Sequence, residues 1–298
     1  MTQRKTSYSL TSTLPHITGR DRILLQLLDD HRVLTTEQVH RLLFHALRTC
    51  HIRLAELRDL GLVERFRFAR AFGTLPWHWT LGLNGHRLQA AVQHRNEPTP
   101  RAYERALARL AVNPQLNHLI AVNEFFVRLA SHARHTPGAR LDRWWSEQRA
   151  TEEFQTIHPD GHGIWTVDEP TVGLFLECDL RTESPARLVA KLRSYERLAA
   201  TNGPRYPVLF WLSSPEREGH LHDTLRNEPA SVPTATATHD ADPAGPVWLP
   251  GDDERRVRLV DLASFHGRDT AANPNFRDGQ LHLHEDWDYP WARSADPI

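Results

Sequence analysis

Cysteine, methionine and lysine are nearly missing from this chain of 298 residues, which has 2 Cys and 1 Met and whose lysines are Lys5 and Lys191. Cys50 and Cys178 fall in segments that read as a helix and a buried strand. They are expected as small core residues and not as a disulfide pair. No apolar run reaches the roughly 20 residues needed to span a bilayer. The start, MTQRKTSYSLTSTLPHITGR, is basic and Ser/Thr-rich but lacks the apolar centre of a secretory signal. The expectation is a cytoplasmic protein with no membrane partner. There is no glycine loop to cradle a phosphate and no Ser/His/Asp signature. Histidine is plentiful, but its pairs are poor metal predictors. Pro159, Gly161 and Gly163 exclude the helix that would align His158 with His162, and His282 and His284 lie in a polar tail.

Net charge is −1, but it is unevenly spread. Lys and Arg outnumber Asp and Glu by 14 to 8 over residues 1–100 and by 8 to 4 over 101–150, whereas residues 151–298 carry 14 against 25. A basic front and an acidic back suit a chain whose first part faces nucleic acid.

The basic front reads as a small domain over residues 20–95. "DRILLQLLDDHRVL" has helical spacing at Ile23, Leu24, Leu27 and Leu28. "TTEQVHRLLF" begins a second helix, with Thr35 or Thr36 as N-cap. "LRTCHIRLAELRDLGLV" is a third, ended by Gly61. Its inner stripe is Leu47, Cys50, Leu54 and Leu57, and Arg48, Thr49, His51, Ile52 and Arg53 are the candidates for contact with DNA bases. "VERFRFAR" alternates phenylalanines with Arg65 and Arg67, and a Gly73 turn leads into "PWHWTLG". Three helices and a two-stranded ribbon make a winged helix-turn-helix. In that fold Arg48 and Arg53 suit guanine edges, Ile52 suits a thymine methyl, and Arg65, Arg67 and Arg70 suit the flanking phosphates. Double-stranded DNA is the expected partner. The segment "RLAELRDLGLVER" resembles the end of the recognition helix and the start of the wing in many bacterial winged-helix regulators.

After a polar stretch, "HRNEPTPRAYERAL", the pattern predicts an amphipathic helix over about 115–134, with Asn123 on its inner face and Glu124 on its flank. A second domain over 110–265 then follows. "ARLDRWWSEQRA", "GIWTV" and "VGLFLECDL" read as strands, the last two joined through Asp168–Pro170. A helix is capped by Ser184, and then come "YPVLFWLSS" as a buried strand and "PEREGHLHDTLR" as a helix. Residues 229–246 read as a flexible loop, and 266–298 as an acidic, loosely ordered tail.

Within this second domain, Asp160 follows a proline and opens one strand, and Glu177 and Asp179 share a face of the next. Lys191 and Tyr195 lie one helical turn apart. Convergent carboxylates with a nearby cation are what a metal-dependent phosphodiesterase requires. The arrangement resembles the PD-(D/E)xK nuclease fold, with Asp160 in the first motif and Glu177 in the second. That resemblance implies Mg or Mn held by Asp160 and Glu177, and a catalytic set of Asp160, Glu177, Asp179, Lys191 and Tyr195, with Glu124 and Glu147 as further candidates. Asp179 stands where that family has its lysine, and Lys191 on the next helix is the replacement on offer.

The whole layout, a winged helix followed by "HPDG", "FLECDLRTES" and "KLRSYERL", resembles the replication-relaxation family. The fold class expected is α+β, a winged helix-turn-helix followed by a restriction-endonuclease-like α/β domain. The resemblance implies a protein of plasmids and other mobile elements, concerned with replication, DNA relaxation or transfer. Three functions stay open. The first is a DNA-binding protein with a degenerate nuclease-like domain, and the second a nuclease or nickase targeted by its winged helix. The third is an autoregulator or antitoxin-like protein whose acidic C-terminal half binds a partner protein. A homodimer suits a two-fold DNA site, although no dimer helix stands out.

Overall fold

The computed structural model describes residues 14–67, 76–180 and 184–283. The chain is α+β and divides into two compact units, Met1–Asn123 and Glu124–Ile298. Among the described residues no helix is long and apolar enough to cross a membrane.

The first unit begins with α1 (Gly19–His31), capped by Thr18, whose Oγ1 accepts from the Asp21 amide while Asp21 accepts from the Thr18 amide. Thr35 and Gln38 make the same reciprocal box at the start of α2 (Thr36–Leu43). Such a box satisfies amides that a helix start leaves without partners. Next comes α3 (Leu47–Asp59), ended by Gly61 in the left-handed region at φ 71°. Cys50, Leu54 and Leu57 of α3 are buried, whereas Leu47, expected on the same stripe, is 42% exposed in the first turn. The short β1 (Leu34–Thr35), β2 (Val63–Phe66) and β3 (His78–Leu81) form an antiparallel sheet in the order β1-β3-β2. The expected ribbon is therefore three-stranded, because the residues just before α2 add an edge. Trp79 of β3 is buried and donates its indole N–H to Thr36 Oγ1 at 2.9 Å, tying the sheet to α2. Arg70, Phe68 and Gly73 lie outside the described residues.

After β3 comes α4 (Leu83–Val92), and the polar stretch beyond it holds α5 (Pro100–Ala111). Thr99 Oγ1 caps α5 and Pro100 opens it, both standard helix starts. The charged exposed face of α5 hid its narrow apolar side in the sequence. Next, α6 (Leu116–His135) matches its expected span, and its first residues to Asn123 belong to this unit. Buried Asn123 donates to the carbonyls of His31 and Val33 at 3.2 and 2.8 Å.

The second unit is built on a six-stranded sheet in the order β4-β5-β6-β7-β8-β9. The strands are β4 (Ala139–Ser146), β5 (Gly161–Val167), β6 (Thr171–Asp179), β7 (Val208–Leu212), β8 (Thr234–Thr238) and β9 (Leu249–Pro250). β4, β5 and β6 run antiparallel to one another, then β7 and β8 run parallel to β6, and β9 turns back. Parallel pairing requires long crossovers, supplied by α8 (Pro185–Ala200) and α9 (Pro215–Asn227), while α7 (Glu147–Phe154) follows β4. On one face Phe175, Val208, Phe210 and Leu212 pack with Leu188, Leu192, Tyr195 and Leu198 of α8 and with Leu221 and Leu225 of α9. On the other face, Phe125 of α6 meets Trp211 with ring centroids 5.5 Å apart, and Phe126 stacks on Trp144 at 5.4 Å. Gly163 is needed for that approach, since a Cβ there would lie 2.9 Å from the Phe126 ring.

Residues 229–246, expected as a loop, contain β8, whose Ala235 and Ala237 are buried inside the sheet. The Thr–Ala alternation is weak in apolar bulk, and tertiary packing makes it a strand. Residues 276–281 form a hairpin of β10 (Phe276–Arg277) and β11 (Gln280–Leu281). Asn275 beside it is buried, and its amide donates to His162 Nε2 at 2.8 Å. His162 donates from Nδ1 to the Leu174 carbonyl, so it is a neutral core residue, and burial pushes its imidazole down to about 3.

Candidate functional site

The β5–β6 hairpin sets the site. Gly161 pairs with Leu176, so one step further the antiparallel register brings Asp160 opposite Glu177, and the Asp160 amide donates to the Leu176 carbonyl at 2.9 Å. Asp160 Oδ2 accepts from the Cys178 amide at 2.7 Å. The two-residue side-chain period of β6 puts Glu177 and Asp179 on the face covered by α8 and α9, and Cys178 on the opposite face.

Glu177 is 1% exposed. One of its oxygens accepts from Lys191 Nζ at 2.7 Å and the other from the Tyr195 hydroxyl at 2.5 Å. Lys191 and Tyr195 lie four residues apart on α8, so both reach the same carboxylate. Burial pushes the Glu177 carboxyl up to about 7, helped by the charge of Asp160 and opposed by Lys191 and Tyr195. Burial and the Glu177 carboxylate together raise the Tyr195 hydroxyl well above its ordinary value.

Asp179, buried to 2% exposure, is ion-paired with Arg217 at the start of α9. Arg217 was not among the residues singled out from the sequence. Its only signal there is position: a helix that follows a parallel strand starts at the strand's C-terminal end, where Asp179's neighbour β7 finishes. Cys178 sits 3.6 Å from His239 Nε2, which also donates to the Trp211 carbonyl. Burial and the surrounding carboxylates push the Cys178 thiol well up, so it is an inert thiol; Cys50 and Cys178 are both free.

Glu124 accepts from Arg128 at 2.9 Å, and Arg128 also donates to the carbonyls of His239 and Ala241 just past β8. Glu147 is exposed, one residue beyond Ser146, which pairs with Gly161 at the Asp160 end of the sheet. Asp160, Glu177, Lys191 and Tyr195 therefore come together, Asp179 shares their strand face with its own cation, and Glu124 and Glu147 stand outside that cluster.

These partners do not suit a hydrated Mg or Mn ion. Both oxygens of Glu177 are engaged by donors, and Asp179 faces a guanidinium. Among the described residues no group of three or more His, Cys, Asp and Glu side chains is arranged to hold a metal. A hard cation needs several convergent oxygens with room for its waters.

In the first unit, Arg48, Thr49 and His51 of α3 are exposed, and Ile52 is 51% exposed. Arg53 differs. Its guanidinium bonds buried Asp21 at 2.6 and 3.0 Å, Glu56 at 2.6 Å and the His16 carbonyl at 2.6 Å. Burial alone would raise the Asp21 carboxyl, but the bonds from Arg53 and Thr18 outweigh it and hold it below the usual carboxylate range. Arg65 and Arg67 lie over the Trp77 ring at 4.0 and 4.4 Å.

The match to the replication-relaxation family spans residues 25–208, from α1 through α3 and the β5–β6 hairpin to the start of β7. No curated protein and no solved structure matches the chain. The family match covers more than half of the sequence and takes in Asp160, Glu177, Asp179, Lys191 and Tyr195, and on that ground the chain belongs to the replication-relaxation family.

Proposed function

We propose that this chain is a duplex-DNA-binding protein of a mobile element, acting in its replication, relaxation or transfer. In this reading the first unit is a winged helix whose α3 enters the major groove. The second unit is a nuclease-like domain whose centre its own cations keep closed. The observation that carries the reading is the outer face of α3. Arg48, Thr49, His51 and Ile52 are all exposed there, and the apolar Ile52 sits among polar neighbours. An exposed isoleucine between an arginine and a histidine suits base edges, where a methyl-reading contact and a guanidinium can work side by side. Arg65 and Arg67, at the foot of the wing, suit backbone contacts.

The silent-centre part of the reading is supported by the Lys191–Glu177–Tyr195 bonding and the Arg217–Asp179 pair. The test is binding of the full chain to a pool of random duplexes, followed by measurement of the enriched site. Arg48→Ala with Ile52→Ala should leave the fold intact and abolish discrimination between the enriched site and scrambled DNA. A double variant that discriminates as well as the parent would remove α3 from the reading. Cleavage or nicking of supercoiled plasmid in Mg or Mn, lost in Asp160→Ala, would overturn the silent centre.

A further inference from the structure

The arginines of the first unit differ in how they are neutralised. Arg53, Arg58, Arg87 and Arg95 are each paired with a carboxylate: Asp21 and Glu56, Glu64, Glu97, and Asp29. Arg101, Arg105 and Arg109 of α5 are exposed, and none has a hydrogen-bond or ion-pair partner among the described residues. Their four-residue spacing sets them in one stripe along the helix. The opposite side of α5 is the one that packs. Leu110 is buried with Val33 and Leu116 in a cluster that Phe66 of β2 also packs against. Tyr103 meets the His86 ring at 5.8 Å, and burial together with the nearby Glu64 carboxylate pushes its hydroxyl up to about 12. Residues on β2 thus anchor the inner side of α5, and β2 also carries Arg65. The arginine stripe points away from the body beside the wing strand.

Unpaired guanidiniums concentrated on one helix face are repulsive unless an anion meets them. The chain has acidic residues to spare, with 37 Asp and Glu against 36 Lys and Arg, yet Glu104 is the one acid on this helix. At about 1.5 Å rise per residue the stripe is about 12 Å long, long enough for its arginines to reach roughly two to three successive phosphates of one strand.

We propose that α5 is a second DNA contact, binding the phosphate backbone of duplex DNA through Arg101, Arg105 and Arg109 beside the wing. The inference rests on the reading of the first unit as a DNA-binding module. It adds affinity without sequence information, since phosphates look alike along any duplex.

The experiment measures affinity of the full chain for a duplex between about 50 and 200 mM salt, where each neutralised phosphate contributes about 0.9 to the log–log slope. Arg101→Ala with Arg105→Ala and Arg109→Ala should lower that slope by about 2 to 3 and keep the sequence preference. The corresponding triple Lys variant should keep the parent slope, because a phosphate responds to a point charge as well as to a fork. Arg48→Ala with Ile52→Ala should do the reverse, losing preference while keeping the stripe's share of the slope. If the parent binds duplex and the triple Ala variant has an unchanged slope, the α5 contact is wrong and the α3 reading stands. If the parent binds no duplex at all, both fall. Loss of binding to an acidic peptide at an unchanged duplex slope would also overturn the proposal.

Discussion

Replacing Lys191 with Met removes one of the two donors that hold Glu177 while keeping most of the stem that covers it. The penalty follows from the ionisation of Glu177. Its carboxyl is pushed up to about 7, above the ordinary glutamate value of 4.5, first by burial and then by Asp160. A folded-state value above the unfolded one means the native chain binds the extra proton, so this group's contribution is full at low pH and is lost as pH rises through about 7. At about pH 6, below that value, most Glu177 carboxyls are protonated, and deleting Lys191 removes a bond from its partly exposed ammonium to a neutral acid, at a cost on the order of 1 kcal/mol. At about pH 9 the carboxylate is ionised and buried, and breaking such a pair costs roughly 3–5 kcal/mol where both charges are fully enclosed. Lys191 keeps 34% of its side chain exposed, so water screens it. The expected penalty at about pH 9 is therefore nearer 2–3 kcal/mol. The assay is urea unfolding of parent and Lys191→Met at both pH values, followed by tryptophan fluorescence and by hydrogen exchange of β6 amides. The penalty should grow by about 1–2 kcal/mol from low to high pH. A penalty equal at the two pH values would refute the buried, titrating ion pair.

Further outcomes follow from the same physics. Arg53→Ala should destabilise the first unit by about 3 kcal/mol, because buried Asp21 is left without its cation, whereas Arg48→Ala should stay within about 0.5 kcal/mol of the parent. Thermal unfolding of the two variants separates them, and equal stability would show that Arg53 is not a structural residue. His162, with a folded value of about 3 against the ordinary 6.5, contributes stability that is present above about pH 6.5 and is lost as pH falls toward 3. Its imidazole resonances should stay those of the Nδ1–H neutral tautomer down to about pH 5, where a free imidazole is protonated. Titration near its ordinary value would contradict the bond to Leu174.

Much of the fold was legible because its signals are local. The cap at Thr35, the Gly61 stop and the period of α6 all rest on neighbours a few residues apart. The Asp168–Pro170 turn likewise implied the hairpin that brings Asp160 opposite Glu177. What escaped depended on distant partners. β8 has little apolar bulk of its own and becomes a strand because β7 and β9 flank it. The outer face of α5 reads as a polar linker until its few apolar residues find Val33 and Phe66. A helical wheel shows that Arg53 leaves α3's core stripe, but not that Asp21 waits on α1.

The sequence by itself determined the basic front and which carboxylates share a strand face, since composition and periodicity need no third dimension. Only the tertiary structure decided which charges are neutralised. Lys191 turns onto Glu177, Arg217 reaches Asp179 from another helix, and Arg53 closes on Asp21, while the α5 arginines meet no described partner. The reason is physical: an ionised side chain takes its character from whatever lies within a few ångströms, and for residues separated by 14, 38 or 32 positions along the chain, only folding sets that distance.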